Sequence, residues 1–122
     1  MRRRMLKSKL QEVRVTGSEL HYAGSLAVDE GLLEAGDILP GESVHIYNVT
    51  NGNRLETYAI AAPRGSGTIS VKGAAAHLIH PDDVILVLTY AEYDEGELGD
   101  YHNKVVYVDD KNQMTRVEKR TS

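Results

Sequence analysis

The sequence predicts a mainly β fold, a small barrel or sandwich with two short helices, and three observations predict it. Apolar residues recur with period two along most of the chain, as they do on half-buried strands. Between two such stretches lies Thr50-Asn51-Gly52-Asn53, a hairpin turn, because Asn-Gly supplies the positive φ angles that a tight turn needs. Only two segments carry the punctuation of helices. Many short strands with few helices call for closure or for two packed sheets, either of which protects strand edges.

Taken in order, Val13 and Val15 mark an early strand, and Leu26-Ala27-Val28 mark the next, just after Gly24-Ser25 near the end of a short N-terminal arm. Asp29 is placed to N-cap a short helix that stops at Gly36. Val44 to Val49 alternates and, across the Asn-Gly turn, pairs with Arg54 to Ala62. Pro63 to Gly67 is a loop, and Thr68 to Lys72 another strand. A second short helix starts near Gly73 and ends before Pro81. The continuous run Val84 to Tyr90 reads as a strand buried on both faces. Asp94 to Asp100 is acidic and reads as a solvated loop. Val105 to Val108, the turn Asp109 to Asn112, and Gln113 to Val117 form a closing hairpin.

The chain of 122 residues fits one domain, 1–122. A domain of this size buries about two thirds of the surface that its unfolded chain exposes. Its core is aliphatic, since Phe and Trp are absent and the seven tyrosines are the only aromatics. The lack of cysteine excludes disulfides and thiolate sites and suits a cytoplasmic protein. A net charge of -4, from 14 basic and 18 acidic residues, argues against a nucleic-acid partner. No apolar stretch follows Arg2-Arg3-Arg4, Lys7 and Lys9, so they do not open a signal peptide, and no run is long enough to span a membrane.

The chemistry starts at Gly24-Ser25. A serine hydroxyl can attack the carbonyl before it, and glycine leaves that carbonyl open from either face. Alone the pair is an ordinary turn dipeptide. It has company, however: Met5-Leu6-Lys7-Ser8-Lys9, His21-Tyr22-Ala23-Gly24-Ser25, Asn51-Gly52-Asn53-Arg54, Thr57-Tyr58, Arg64-Gly65-Ser66-Gly67 and Gly73-Ala74-Ala75-Ala76-His77. As an ordered set these resemble the pyruvoyl-dependent aspartate 1-decarboxylases, from about Met5 to Tyr90 without a gap, and more loosely beyond Glu92.

The resemblance implies a six-stranded double-psi β-barrel assembled as a homotetramer, with active sites between neighbouring subunits. It implies cleavage of a proenzyme between Gly24 and Ser25 into a β chain, 1–24, and an α chain, 25–122, whose first residue becomes a pyruvoyl group made from Ser25. It also implies conversion of L-aspartate to β-alanine and CO2 through a Schiff base, for pantothenate and coenzyme A synthesis. The chemistry is coherent by itself. Loss of CO2 from an amino acid leaves a carbanion that needs an electron sink, and a carbonyl joined to the substrate amine is one. The chain has no readable pyridoxal phosphate motif, and a ketoacyl group built from its own serine does the same work. Ser25 Oγ attacks the Gly24 carbonyl to give an ester, elimination leaves dehydroalanine, and hydrolysis releases ammonia. Serine is a weak nucleophile without help. Donors aimed at the developing oxyanion are worth about 3 kcal/mol each, and the resemblance gives Thr57 the assisting part. Cleavage unaided and cleavage assisted by a partner protein both fit the sequence.

The remaining roles come residue by residue from the resemblance. Tyr58, by itself a core-edge tyrosine, becomes the proton donor to the decarboxylated carbon. Thr57 and Tyr58 sit on one strand and point to opposite faces, so at most one enters a given pocket through that strand alone. Lys9 and Arg54, otherwise solvated charges, bind substrate carboxylates, Arg54 suiting a bidentate grip and Lys9 a point charge. Which cation takes which carboxylate stays open. Tyr22, Thr57, Gly73, Ala74 and Ala75 line the pocket, and His21 steers processing. His77, His80 and Asp82 fit no metal-ligand spacing. The chain departs from the family's pattern at Gln11, at the variable position Tyr47 and above all at Lys72, where an asparagine is usual. A cation there predicts altered rate or substrate preference with the fold intact. Two rivals stand beside this reading: the same fold acting on another acidic amino acid, and an uncut, catalytically silent binding subunit.

Overall fold

The computed structural model describes residues 1–21 and 24–121. In chain order it contains β1 (Arg2–Arg14), β2 (Gly17–Glu19), β3 (Ser25–Asp29), α1 (Glu30–Ala35), β4 (Ser43–Asn48), β5 (Arg54–Ala62) and β6 (Ile69–Lys72). A 3-10 helix over Gly73–His77 follows, then β7 (Val84–Asp94), a 3-10 turn over Leu98–Asp100, β8 (Asn103–Val108) and β9 (Met114–Arg120). The fold is therefore mainly β.

The strands form one ladder in the order β2-β6-β3-β5-β4-β7-β1-β8-β9. This ladder returns to its start. β1 leads through only Val15 and Thr16 into β2, the first member. The amide of Val15 donates to the Asp83 carbonyl at 2.8 Å, and that of Thr16 to the Ile69 carbonyl at 2.7 Å. The stretch from β1 to β2 thus shares hydrogen bonds with both ends of the run from β6 to β7, and the β8–β9 hairpin hangs from the other side of β1. The interior holds Leu10, Val13, Leu26, Val28, Val44, Ile46, Ile69, Val71, Ile85 and Val87, all buried. Burying each such side chain contributes about 1.5–3 kcal/mol. In β4 the alternation places Val44 and Ile46 in this core, with His45 and Tyr47 on the outer face.

Local chemistry sets the corners. Gly52 adopts φ +81 in the β4–β5 turn, and its amide donates to the Asn48 carbonyl at 2.7 Å. Asp29 ends β3 and caps α1, accepting from the amide of Gly31 at 2.8 Å. The same carboxylate accepts from Gly65 at 3.0 Å and Gly67 at 2.9 Å, tying the 63–67 loop to the helix start. Gly67 has φ +69, and an added Cβ would lie 2.5 Å from the Lys111 carbonyl, so only glycine fits. Asn112 joins three segments: its amide group donates to the carbonyls of Arg14 at 2.7 Å and Gly67 at 2.9 Å, and its carbonyl accepts from Arg14 N at 2.8 Å.

The structure differs from the sequence expectations in several places. The first strand is longer than expected from Val13 and Val15: β1 begins at Arg2, because β7 extends to Asp94 and pairs with Arg2 to Leu6 residue by residue, with Arg2 3.9 Å from Glu92. Of the acidic segment only Asp94 is strand; the rest is exposed turn and the short 3-10 stretch, as a solvated loop requires. The second helix is a single 3-10 stretch ending at His77. β2, which has no apolar pattern, exists through its parallel pairing with β6. β9 runs on to Arg120, beyond Val117, as a charged outer strand. The expectation for Tyr22 falls outside the described residues.

Candidate active site

Ser25 is the first residue of β3, is 1% exposed, and its hydroxyl has no hydrogen-bond partner among the described residues. A buried hydroxyl left unpaired costs about 1–3 kcal/mol, so its retention asks for a reason outside stability. Ser25 pairs in antiparallel register with Lys72, which puts the two side chains on one face of the sheet. Beside them opens a cavity of about 320 Å3, bounded by Gly24, Thr57, Lys72, Ala74 and Ala75, with Leu55, Glu56 and Leu78 completing its wall. Gly24 is exposed; among the described residues, a Cβ added to it would meet nothing closer than the Lys72 carbonyl at 4.0 Å.

The Asn-rich turn builds one wall of this cavity. The side-chain amides of Asn48, Asn51 and Asn53 all donate to the Leu78 carbonyl, at 3.3, 3.2 and 3.1 Å. They fasten the segment after the 3-10 helix to the β4–β5 corner and so fix Ala74 and Ala75 opposite Thr57. Asn48 also donates to Asp83 Oδ2 at 2.8 Å, and the His80 amide donates to the same oxygen at 2.9 Å. The His80 amide, with the Asn48 side chain, outweighs burial and holds the Asp83 carboxyl below its ordinary range. Gly73 is buried with φ +75, the conformation that swings the chain out of β6 into the 3-10 helix.

Tyr58, Lys9 and Arg54 do not bound the cavity. Thr57 bounds it, whereas Tyr58, the next residue of β5, does not and is 41% exposed. The register places Tyr58 opposite Ser43, Glu56 opposite His45, and Arg54 opposite Tyr47. His45 and Lys9 both pair with Leu88, so Lys9 belongs to the same outer face as Arg54 and Tyr58. Among the described residues neither Lys9 nor Arg54 has a carboxylate within 4.0 Å. By contrast, Lys7 is 2.6 Å from Glu42 and Lys72 3.2 Å from Glu19.

An aromatic network on this face was not legible in the sequence. Arg54 lies over the Tyr47 ring at 4.6 Å, the Tyr47 and Tyr90 phenol oxygens are 3.5 Å apart, and Arg4 lies over the Tyr90 ring at 5.2 Å. His45 packs edge-on against Tyr90 with centroids 5.1 Å apart, its Nε2 3.1 Å from Arg4. The contact with Tyr47 and burial push the Tyr90 phenol above its ordinary value. The one sequence signal was the alternation of His45 and Tyr47 with core residues.

Comparison with known proteins settles the family. A family model described as aspartate decarboxylase matches residues 1–115. The chain belongs to the aspartate decarboxylase family. It is 53% identical over 121 residues to the aspartate 1-decarboxylase of Chromobacterium violaceum, an alignment that spans 99% of this chain and 96% of that protein. In this aspartate decarboxylase family member, no cluster of three or more His, Cys, Asp or Glu side chains placed to hold a metal ion occurs among the described residues. None of the helices formed by the described residues is long and apolar enough to cross a membrane.

Proposed function

We propose that this protein is a self-processing, pyruvoyl-dependent decarboxylase that converts L-aspartate to β-alanine and CO2. The observation that carries the reading is the Ser25 hydroxyl, which is buried, has no partner among the described residues, and follows Gly24 at the rim of the cavity. It fits a residue kept for covalent chemistry. Family membership and the identity to the Chromobacterium violaceum enzyme support the substrate.

Ser25 Oγ attacks the Gly24 carbonyl, the ester opens by elimination, and hydrolysis releases ammonia. Thr57, across the cavity, assists by hydrogen bonding. The resulting pyruvoyl ketone supplies amine capture and an electron sink for loss of CO2. The chain's own residues do the rest. Gly73, Ala74 and Ala75 present small surfaces that let substrate approach the backbone. Tyr58 delivers a proton to the carbon that has lost CO2. Aspartate brings two carboxylates, and Lys9 and Arg54 are cations without carboxylate partners among the described residues; Lys72 adds a third charge at the wall. Tyr22 is the remaining substrate-binding residue that the family resemblance implies.

Within one chain Lys9, Arg54 and Tyr58 stand apart from the cavity. Their separation supports a homotetramer in which the outer face of one subunit faces the cavity of its neighbour. The returning ladder supports a double-psi barrel occupying 1–122 as one domain. The pathway is pantothenate synthesis, in the cytoplasm.

A denaturing gel and intact mass decide the first step. Two fragments meeting at 24/25, the larger bearing a pyruvoyl terminus, are expected. A single uncut chain after prolonged incubation would overturn the proposal in favour of a silent binding subunit. Product analysis with aspartate and glutamate then tests the substrate; turnover of glutamate alone would reassign it.

A further inference from the structure

We propose that Tyr47 and Tyr90 are positioning residues that hold the Arg54 guanidinium ready for a substrate carboxylate. The inference rests on the reading of Arg54 as a carboxylate ligand. Arg54 opens β5, and an arginine at a strand end is free to sample many rotamers. No carboxylate restrains it among the described residues. What it does meet is the face of Tyr47, its partner in the β4–β5 register, at 4.6 Å. A guanidinium stacked on a ring keeps its edge donors unspent, whereas one paired with a glutamate would have used them. Stacking therefore orients Arg54 without competing with substrate.

Tyr47 is itself held. Its phenol oxygen is 3.5 Å from that of Tyr90, and the Tyr90 ring is packed edge-on by His45 and covered by Arg4. The row Arg4–Tyr90–Tyr47–Arg54 thus runs across β1, β7, β4 and β5, ordered at one end by the sheet and presenting an unspent guanidinium at the other. The facing charged and titratable groups are Arg4, His45 and Glu56. Glu56 lies 3.9 Å from His45 and accepts from the Ser43 hydroxyl at 2.9 Å, so its carboxylate is engaged away from Arg54.

The test is a double-mutant cycle on KM for aspartate, with kcat and self-cleavage followed in parallel. Tyr47→Leu is expected to raise KM about three- to tenfold, the size of a lost cation–π restraint, and to move kcat less. Tyr47→Phe, which keeps the ring, restores KM to within about twofold. In Arg54→Ala the further change Tyr47→Leu adds nothing, because its effect passes through Arg54. Tyr90→Leu shifts KM in the same direction and is not additive with Tyr47→Leu. The Arg54 Nε–H resonance, sharp in the parent, broadens or averages in Tyr47→Leu, a readout independent of turnover. An unchanged KM in Tyr47→Leu beside a raised KM in Arg54→Ala would overturn the positioning role alone, as would full additivity. An unchanged KM in Arg54→Ala would overturn the assignment of Arg54 and this inference with it.

Discussion

Replacing Asp29 tests how the site's supporting corner is held. Its carboxylate accepts from three backbone amides at 2.8–3.0 Å and is 3% exposed. Burial favours the neutral acid, yet the amides of Gly67, Gly65 and Gly31 together with the Arg64 charge outweigh it and hold the pKa below its ordinary value. In Asp29→Ala the helix cap is lost, at about 1 kcal/mol. The buried Gly67 amide is stranded, at about 2 kcal/mol, while water replaces the bond to Gly65 at little cost. The expected loss is about 3 kcal/mol, or about 10–15 °C in Tm for a chain of this size. Asp29→Asn keeps one oxygen for Gly31 and Gly65 but turns a donor towards Gly67, so it costs about 2 kcal/mol. Urea unfolding followed by far-UV circular dichroism or tyrosine fluorescence, at matched protein concentration, measures both. Because the folded pKa is lowered, Asp29 stabilises the protein above the ordinary carboxylate pKa, and that contribution is lost as pH falls through the folded value. The gap between parent and Asp29→Asn is therefore full at neutral pH and narrows below about pH 4. A cost under about 1 kcal/mol for Asp29→Ala, or a gap unchanged between neutral and strongly acid pH, would refute the reasoning.

Other outcomes follow from the same geometry. Gly67→Ala forces a Cβ to 2.5 Å from the Lys111 carbonyl at φ +69 and is expected to cost about 2 kcal/mol or more by the same unfolding measurement. Asn48→Ala removes the donor to Asp83 and to Leu78 and loosens the cavity wall; a fall of about 2 kcal/mol in stability should accompany a higher KM for aspartate. Lys72→Asn replaces the cation that pairs with Glu19 opposite Ser25 and is expected to change the rate of self-cleavage or the turnover of aspartate while leaving Tm nearly unchanged. Equal cleavage and equal turnover in parent and variant would remove any special part for Lys72.

Where local chemistry decides, the sequence was readable. The Asp29 cap, the stop at Gly36, the Asn-Gly turn and the closing hairpin all appear as read, because each depends on residues a few positions apart. The strand character of Arg2 to Arg4 was hidden, since it is imposed by β7 and not by an apolar pattern of its own. β2 was hidden for the same reason. Gly24, Thr57, Ala74 and Ala75, which belong to the ordered motif set, meet Lys72 at one cavity. The placing of Lys9 and Arg54 elsewhere depends on register, and register is a property of pairs of strands. That the Ser25 hydroxyl is buried without a partner among the described residues is likewise invisible in one dimension.

The way β1 is stitched into the sheet bears on what a severed backbone would do. Residues 2–14 are clasped by β7 on one flank and, over 8–11, by β8 on the other, and 17–19 by β6. A break after Gly24 therefore detaches nothing: the leading segment remains woven in as an intrinsic part of the wall. Two polypeptides would migrate as one particle until denaturant parts them, and the fresh terminus would stay anchored beside the hollow instead of drifting into solvent.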